Sequence, residues 1–555
     1  MRVPTSLAGV VLATLITACG DTKVDAPAPS APAAAPTPTA SSPILSLVAS
    51  GSAISGANGV HIGGDGSLYV ASVLGSELVV IDPDTGQVQK HLGAADGVAG
   101  PDDVAFAPDG AFYWTSILTG EVAGFRPDGT RVVAAKLGPG VNPITFSDDG
   151  RLFVAQCFFG DKLYEVDPLG VKPARAIRED LGPGCGLNGM DWGPDDRLYG
   201  PRWFRGEVVS IDVDTGDMKT VAKGFGVPAA VKFDPAGKLN VLDTQLGKVI
   251  RVDGDQQTVV AELTPGLDNF AFDAAGRLFV SSFTDGSVVR IDPDGNRKEL
   301  SPGGMSTPGG VAVIERAGKP EVIVADLHAV RGFDPANGAA TFVARNVLGV
   351  SELGSSLSAS ADGERVILTS WIDNDVRVWE PATQKVIEQH KELGEPVDAV
   401  RYAGKLVVSE HAKHRVISID GDNVTALAEG LDAPTGLVVR GDELLVADRT
   451  RGQILSVAKA GTAVNPPTVV AAELDGPEGI AVVADGLVVM EAGRGRVTWV
   501  GVDGSRKTLG EVSPGSAAGS EAQPPSLVFN GVAAAADGTI YVTDEKQREL
   551  FKITR

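Results

Sequence analysis

The chain has 555 residues, with 69 glycines, 35 prolines, 5% aromatic residues and a formal net charge of −23. That length exceeds one ordinary core and calls for several domains or a repeated unit, while the glycine- and proline-rich, aromatic-poor composition suits short strands joined by tight turns better than helices. The acidic balance argues against nucleic acid, whose phosphates need clustered Lys and Arg, and is compatible with cation binding or with plain solubility.

At the N-terminus, Arg2 and the mostly apolar run Leu7 to Ile16 lead into Ile16-Thr17-Ala18-Cys19. The run is too short to span a bilayer as a mature helix. It resembles a lipoprotein signal peptide over 1–18 with Cys19 as the lipidated new N-terminus, the alternative being an ordinary secretory signal. Gly20 rather than Asp after that cysteine favours the outer membrane, by resemblance to known sorting rules. No later segment is long and apolar enough to cross a membrane, so the expectation is a bacterial cell-envelope protein held to the membrane by lipid alone. Residues 19–43, rich in Ala and Pro from about Ala26, cannot bury enough surface to fold and read as a tether.

From residue 44 onward one pattern recurs. Asn58-Gly59-Val60-His61-Ile62, then Asp65-Gly66-Ser67-Leu68-Tyr69-Val70, then Leu78-Val79-Val80-Ile81-Asp82-Pro83 shows period-two alternation broken by an Asp-Gly turn, the signature of half-buried antiparallel strands. With Val60 as phase marker the equivalents are Val104, Ile144, Met190, Val231, Phe270, Val311, Leu357, Val400, Leu437, Ile480 and Val532, which makes twelve units, mostly about 40–46 residues apart. One such unit cannot bury both faces, so the units must stack around an axis. The fold expected is all-β: two tandem six-bladed β-propellers of four-stranded antiparallel blades, over 44–296 and 297–555, in preference to a single twelve-bladed ring. The last unit stops at a third strand, Leu550 to Arg555. The expectation is that Ile44 to Val48 completes the unit around Phe270, and that Arg297 to Leu300 completes the unit around Val532.

In such a ring the residues that start each inner strand converge on one mouth of the channel. Two places before the phase marker, the first six units carry Asn58, Asp102, Asn142, Asn188, Ala229 and Asp268, with Asp103 and Asn269 alongside. A ring of amide and carboxylate oxygens is what a hard cation such as Ca²⁺ needs; the alternative is that Asn and Asp start these strands because they cap turns. The units resemble the regucalcin/gluconolactonase and NHL-repeat superfamily of six-bladed propellers, and the first ring is similar to its calcium-dependent lactonases and paraoxonases. The resemblance rests on Asn188-Gly189-Met190-Asp191-Trp192, Leu267-Asp268-Asn269-Phe270 and, less closely, Pro101-Asp102-Asp103-Val104. It implies a calcium site of Asn58, Asp102, Asn142, Asn188, Asp268 and Asn269, with Asp268 as candidate catalytic base. Two departures stand out. Ala57-Asn58-Gly59 replaces the family's Glu-Gly-Pro, and the paraoxonase histidine has no clear counterpart, because His61 is out of phase with Asn58 and reads as a packed side chain.

The second ring offers Gly309, Ser355, Asp398, Thr435, Glu478 and Asn530, where Pro477-Glu478-Gly479 resembles the missing Glu-Gly-Pro. Ser409-Glu410-His411 with His414 resembles a strand of virginiamycin B lyase without its surrounding pattern, and reads as a surface histidine pair. Cys157 and Cys185 fall near the same mouth and are expected to form a disulfide in an oxidising compartment. Two functions follow: a calcium-dependent hydrolase of a lactone or ester, or a non-catalytic propeller scaffold for an envelope protein or glycan.

Overall fold

The computed structural model describes residues 43–555 except 183, 349 and 516–525. The predicted signal peptide, Cys19 and nearly all of the tether therefore lie outside the described residues.

The strands form twelve four-stranded antiparallel sheets. Asp-Gly turns set the hairpins as the sequence requires: Ser67 N–H donates to Asp65 Oδ1 (3.0 Å), while Gly66 takes a φ of +81° that suits glycine. Second strands such as Leu152–Gln156 are buried throughout, because both faces of a blade are covered by neighbouring blades, whereas outer strands such as Gln256–Glu262 are almost wholly exposed. The inner strand Val60–Ile62 lies against Leu267–Phe272, and Val311–Arg316 lies against Val532–Ala534. The blades thus close into two rings of six: the protein is two tandem six-bladed β-propellers.

Side-chain hydroxyls near the ends of second strands clasp the next blade. Thr115 donates to the Asn142 carbonyl inside the first ring, Ser281 closes that ring on the Asn58 carbonyl, and Thr543 closes the second on the Gly309 carbonyl. Acids ending the same strands hold the loops that enter the inner strands. Asp243 accepts from the N–H groups of Gly226 and Val227, Asp326 from those of Ser306 and Thr307, and Asp448 from those of Asp432 and Ala433. These carboxylates satisfy loop donors that burial would otherwise leave unpaired.

The way the chain ends close differs from expectation. Ile44–Ser50 pairs with Glu549–Thr554 and completes the Val532 unit, while Arg297–Ser301 pairs with Val288–Ile291 and completes the Phe270 unit. The reason is local. The turn Asp292 to Asn296, closed by Asp292 N–H to the Asn296 carbonyl, folds 297–301 straight back onto its own third strand. Only the final blade, which runs out after three strands, is left to take the N-terminal one. The boundary expected between 296 and 297 therefore falls inside the sixth sheet, and 44–50 belongs to the second ring.

The rings are packed together. Arg345 pairs with Asp285 at 2.8 Å, Arg548 Nε donates to the Ser52 carbonyl at 2.6 Å, and Leu74 of the first ring packs beside Leu327 and Trp371 of the second.

Candidate functional site

β-Bulges shape the mouth of the first ring. The inner-strand register shifts between Pro101 and Val104, Val141 and Ile144, and Leu267 and Phe270, which takes the polar residues at those positions out of the ladder. The blades also crowd the axis: a Cβ on Gly59 would fall 2.5 Å from the Cα of Asp103.

Asn58, Asp102, Asn142, Asn188 and Asp268 line one cavity of about 980 Å³. Asp102, Asn142 and Asn188 are only 6, 7 and 6% exposed, yet among the described residues no hydrogen bond reaches their side chains. Asn58 is different. Its Oδ1 accepts from Val73 N–H (3.1 Å), and its amide bonds Asp268. Asn269 does not face the mouth at all: its Nδ2 donates to Asp103 Oδ1 (3.2 Å) and its Oδ1 accepts from Phe270 N–H (2.8 Å). The bulge turns adjacent residues in opposite directions, so Asp103 and Asn269 form a separate layer further along the channel. There Asp103 also accepts from Ile144 N–H (3.3 Å), and Lys232, bonded to the Met190 carbonyl (3.0 Å), supplies a counter-charge. His61 lies outside the cavity, with Nδ1 on the Ile62 carbonyl (2.8 Å) and its ring against Phe106.

The two carboxylates at the mouth resist ionisation. Burial, then the charge of Asp103, pushes Asp268 up to about 8 against the opposing bond from Asn58; burial, then Asp268 and Asp103, pushes Asp102 well above the usual carboxylate range.

The rest of the cavity belongs partly to the second ring. The segment after Ala340–Arg345 lies across the first ring's mouth, where the Leu348 carbonyl accepts from Trp203 Nε1–H (3.3 Å). Beside it stands His328, which alternation alone did not single out. It follows Leu327, whose φ is +45°, stacks edge-on against Phe283 of the first ring (5.2 Å, 81°), and lines the cavity with Nδ1 buried and unbonded. Burial holds its imidazole down to about 4, with Asp373 pulling the other way, so it is neutral at physiological pH.

Aromatic rings form the opposite wall. Cys157 and Cys185 are joined by a disulfide with Cα atoms 4.2 Å apart. Immediately after Cys157, Phe158 adopts a φ of +63°, an uncommon conformation for a bulky side chain, and its N–H donates to the Gly184 carbonyl (2.8 Å). Its ring meets Trp203 edge-on at 6.3 Å, and Trp203 meets Phe204 at 6.5 Å.

The acids at the second ring's own mouth are engaged internally, whereas Ser355 lines the cavity between the rings. Asp398 accepts from the hydroxyls of Ser358 and Ser360 and the N–H groups of Ala399 and Leu437. Glu478 accepts from Arg449, Ser526 and Asn530. Glu410 is bonded by Gly394 N–H and Arg415. His411 is buried, which corrects the reading of a surface pair, whereas His414 is exposed and bonds the Asp432 carbonyl.

No family model and no curated protein matches the chain. Among solved structures it is similar to a streptogramin B lyase, at 15% identity and TM-score 0.38, covering 51% of this chain and 94% of that one. It is also similar to a virginiamycin B lyase from Staphylococcus aureus, at 14% identity and TM-score 0.37, covering 53% of this chain and 97% of that one. The extracellular domain of a one-component system from B. thetaiotaomicron is similar at 9% identity and TM-score 0.32, over 90% of this chain and 75% of that one.

Proposed function

We propose that this chain is an exported, envelope-attached hydrolase of a lactone or ester that works with a divalent cation, calcium by the character of the donors. One observation supports the reading. Four oxygen-bearing side chains from four blades, Asp102, Asn142, Asn188 and Asp268, line one cavity, and three of them are over nine-tenths buried with no hydrogen-bond partner. Their polar atoms open onto the cavity uncommitted to any protein partner, so the set fits a hard cation that accepts carboxylate and amide oxygens. Two carboxylates held out of water without a cation beside them fit it as well. Asn58 and Asn269 are not assigned to it, because their oxygens are engaged elsewhere, and among the described residues no three acids, histidines or cysteines gather as a metal group.

Such a cation, when bound, would polarise the carbonyl and acidify water. The protein's own residues would do the rest. His328, kept neutral by burial, accepts the proton of the attacking water, in the role the resemblance gave to Asp268 or to a histidine that the first ring lacks. Trp203, Phe204 and Phe283 exclude bulk water from the reacting carbonyl.

The test joins calcium titration by calorimetry to aryl-ester and lactone panels for the wild type, Asp268→Ala, Asn188→Ala and His328→Gln. The reading requires calcium binding that both floor variants weaken, and turnover that all three lose. Calcium binding without turnover would leave the second reading, a docking propeller for an envelope protein or glycan, which the internally bonded second ring favours.

A further inference from the structure

The cavity between the rings has a charge imbalance that the hydrolase reading does not use. Beyond Asp102 and Asp268, the second ring contributes Glu352, Asp373, Asp375 and Glu388, against Arg377 and Lys391. Glu388 is neutralised from outside by Arg401 (2.8 Å), while Asp373 and Asp375 share the single Nη2 of Arg377, at 3.2 and 2.6 Å. Glu352 is exposed and in no ion pair among the described residues. His328 is neutral and adds no positive charge. Even with a divalent ion cancelling Asp102 and Asp268, three carboxylates face two cations on the opposite wall.

That negative field falls on aromatic surface. Phe158, Trp203, Phe204 and Phe283 line the same space, and aromatic faces attract organic cations, the more so away from water. The size, about 980 Å³, suits a small molecule rather than a polymer. Asn142 and Asn188, buried and unpartnered in the same cavity, mark it as a site built to receive something polar at its floor.

We propose that the inter-propeller cavity selects ligands that carry a positive charge on an apolar body, amines or quaternary ammonium compounds, in preference to neutral or anionic ones. The apolar body lies on Phe158, Trp203 and Phe204, and the charge lies toward Glu352 and Asp373. The inference rests on the cavity and not on hydrolysis.

The experiment titrates 4-phenylbutylamine, 4-phenylbutan-1-ol and 4-phenylbutyrate into the full chain by calorimetry, once with saturating calcium and once with EDTA. The amine is expected to bind about tenfold tighter than the alcohol, corresponding to about 1.4 kcal/mol, with the butyrate weakest in both buffers. Added salt weakens only the amine. Glu352→Gln, at an exposed position that does not threaten folding, and Asp373→Asn each narrow the gap. Equal binding of amine and alcohol, or tightest binding of the butyrate, overturns the proposal. So does loss of amine binding on calcium addition, since the floor carboxylates alone would then have held it. Absence of any calcium effect would defeat the hydrolase reading and leave the charge preference standing; calcium-dependent turnover without an amine preference would do the reverse.

Discussion

Replacing Asp268 with asparagine should make the metal-free protein more stable in alkali, and the sign is opposite to that of an ordinary salt-bridged carboxylate. The folded carboxyl titrates near 8, against 3.8 when unperturbed. Between those values the folded chain holds a proton that the unfolded chain has released, so stability falls as pH rises from about 4 to about 8 and is flat above. Each pH unit is worth about 1.4 kcal/mol, which sets an upper limit on the order of 6 kcal/mol, reduced wherever the mouth relaxes and admits water. Urea unfolding in EDTA at pH 5, 7 and 9 measures it. Wild type should lose midpoint steadily, and Asp268→Asn should lose less, so that the variant is the more stable at pH 9. Calcium at about a hundred times its dissociation constant should return about 2.7 kcal/mol to the wild type at pH 9 and little to the variant. Parallel pH curves for the two proteins, or equal rescue by calcium, would refute the argument that an uncompensated carboxylate sits at the mouth.

Other perturbations probe other parts. Replacing Cys157 and Cys185 with serine opens a loop of 28 residues and should cost about 3–4 kcal/mol by loop entropy, read as a lower urea midpoint; complete alkylation of both cysteines in unreduced native protein would show that no bridge exists. His328→Gln should abolish a loss of stability, at most about 3 kcal/mol, that the wild type shows as pH falls from 6.5 to about 4. The sign follows because only the unfolded imidazole takes up a proton in that window, and paired unfolding curves at pH 4 and 7 check it. Deleting residues 44–50 leaves the strand Glu549–Thr554 bare along one edge and should produce edge-paired oligomers in analytical ultracentrifugation; an unchanged monomer with an unchanged unfolding midpoint would contradict it.

The repeat was legible because the same Asp-Gly turns and period-two alternation recur in unit after unit, and each is a local device. Strand closure was not. Composition and phase suit Ile44–Ser50 to either ring, and only the tight turn before Arg297 decides which strand is already taken. At the mouth, counting two residues back from each phase marker brought Asp102, Asn142, Asn188 and Asp268 together. Asn269 was placed there by the family resemblance and not by that count, and its side chain is instead engaged with Asp103 and the Phe270 N–H. His328 left no trace in the periodicity. It lies on a loop after the second strand, and what gives it significance is the packing of one ring on the other, which no single repeat encodes. The one available signal was the acid that ends several of the second strands: Asp326 fixes the loop beside it, so the residues just beyond are held near the mouth.

The strand Ile44–Ser50 ties the earliest part of the fold to the latest. The first ring has all its strands once residue 301 is made, while the second must wait for residues 549–554 to meet a partner made some five hundred residues before. An early-formed disc would thus stand beside an unfinished one, holding the opening strand in reserve. Any pull exerted through the segment ahead of Ile44 would be borne by the seam of the second disc, leaving the polar mouth of the first mechanically quiet.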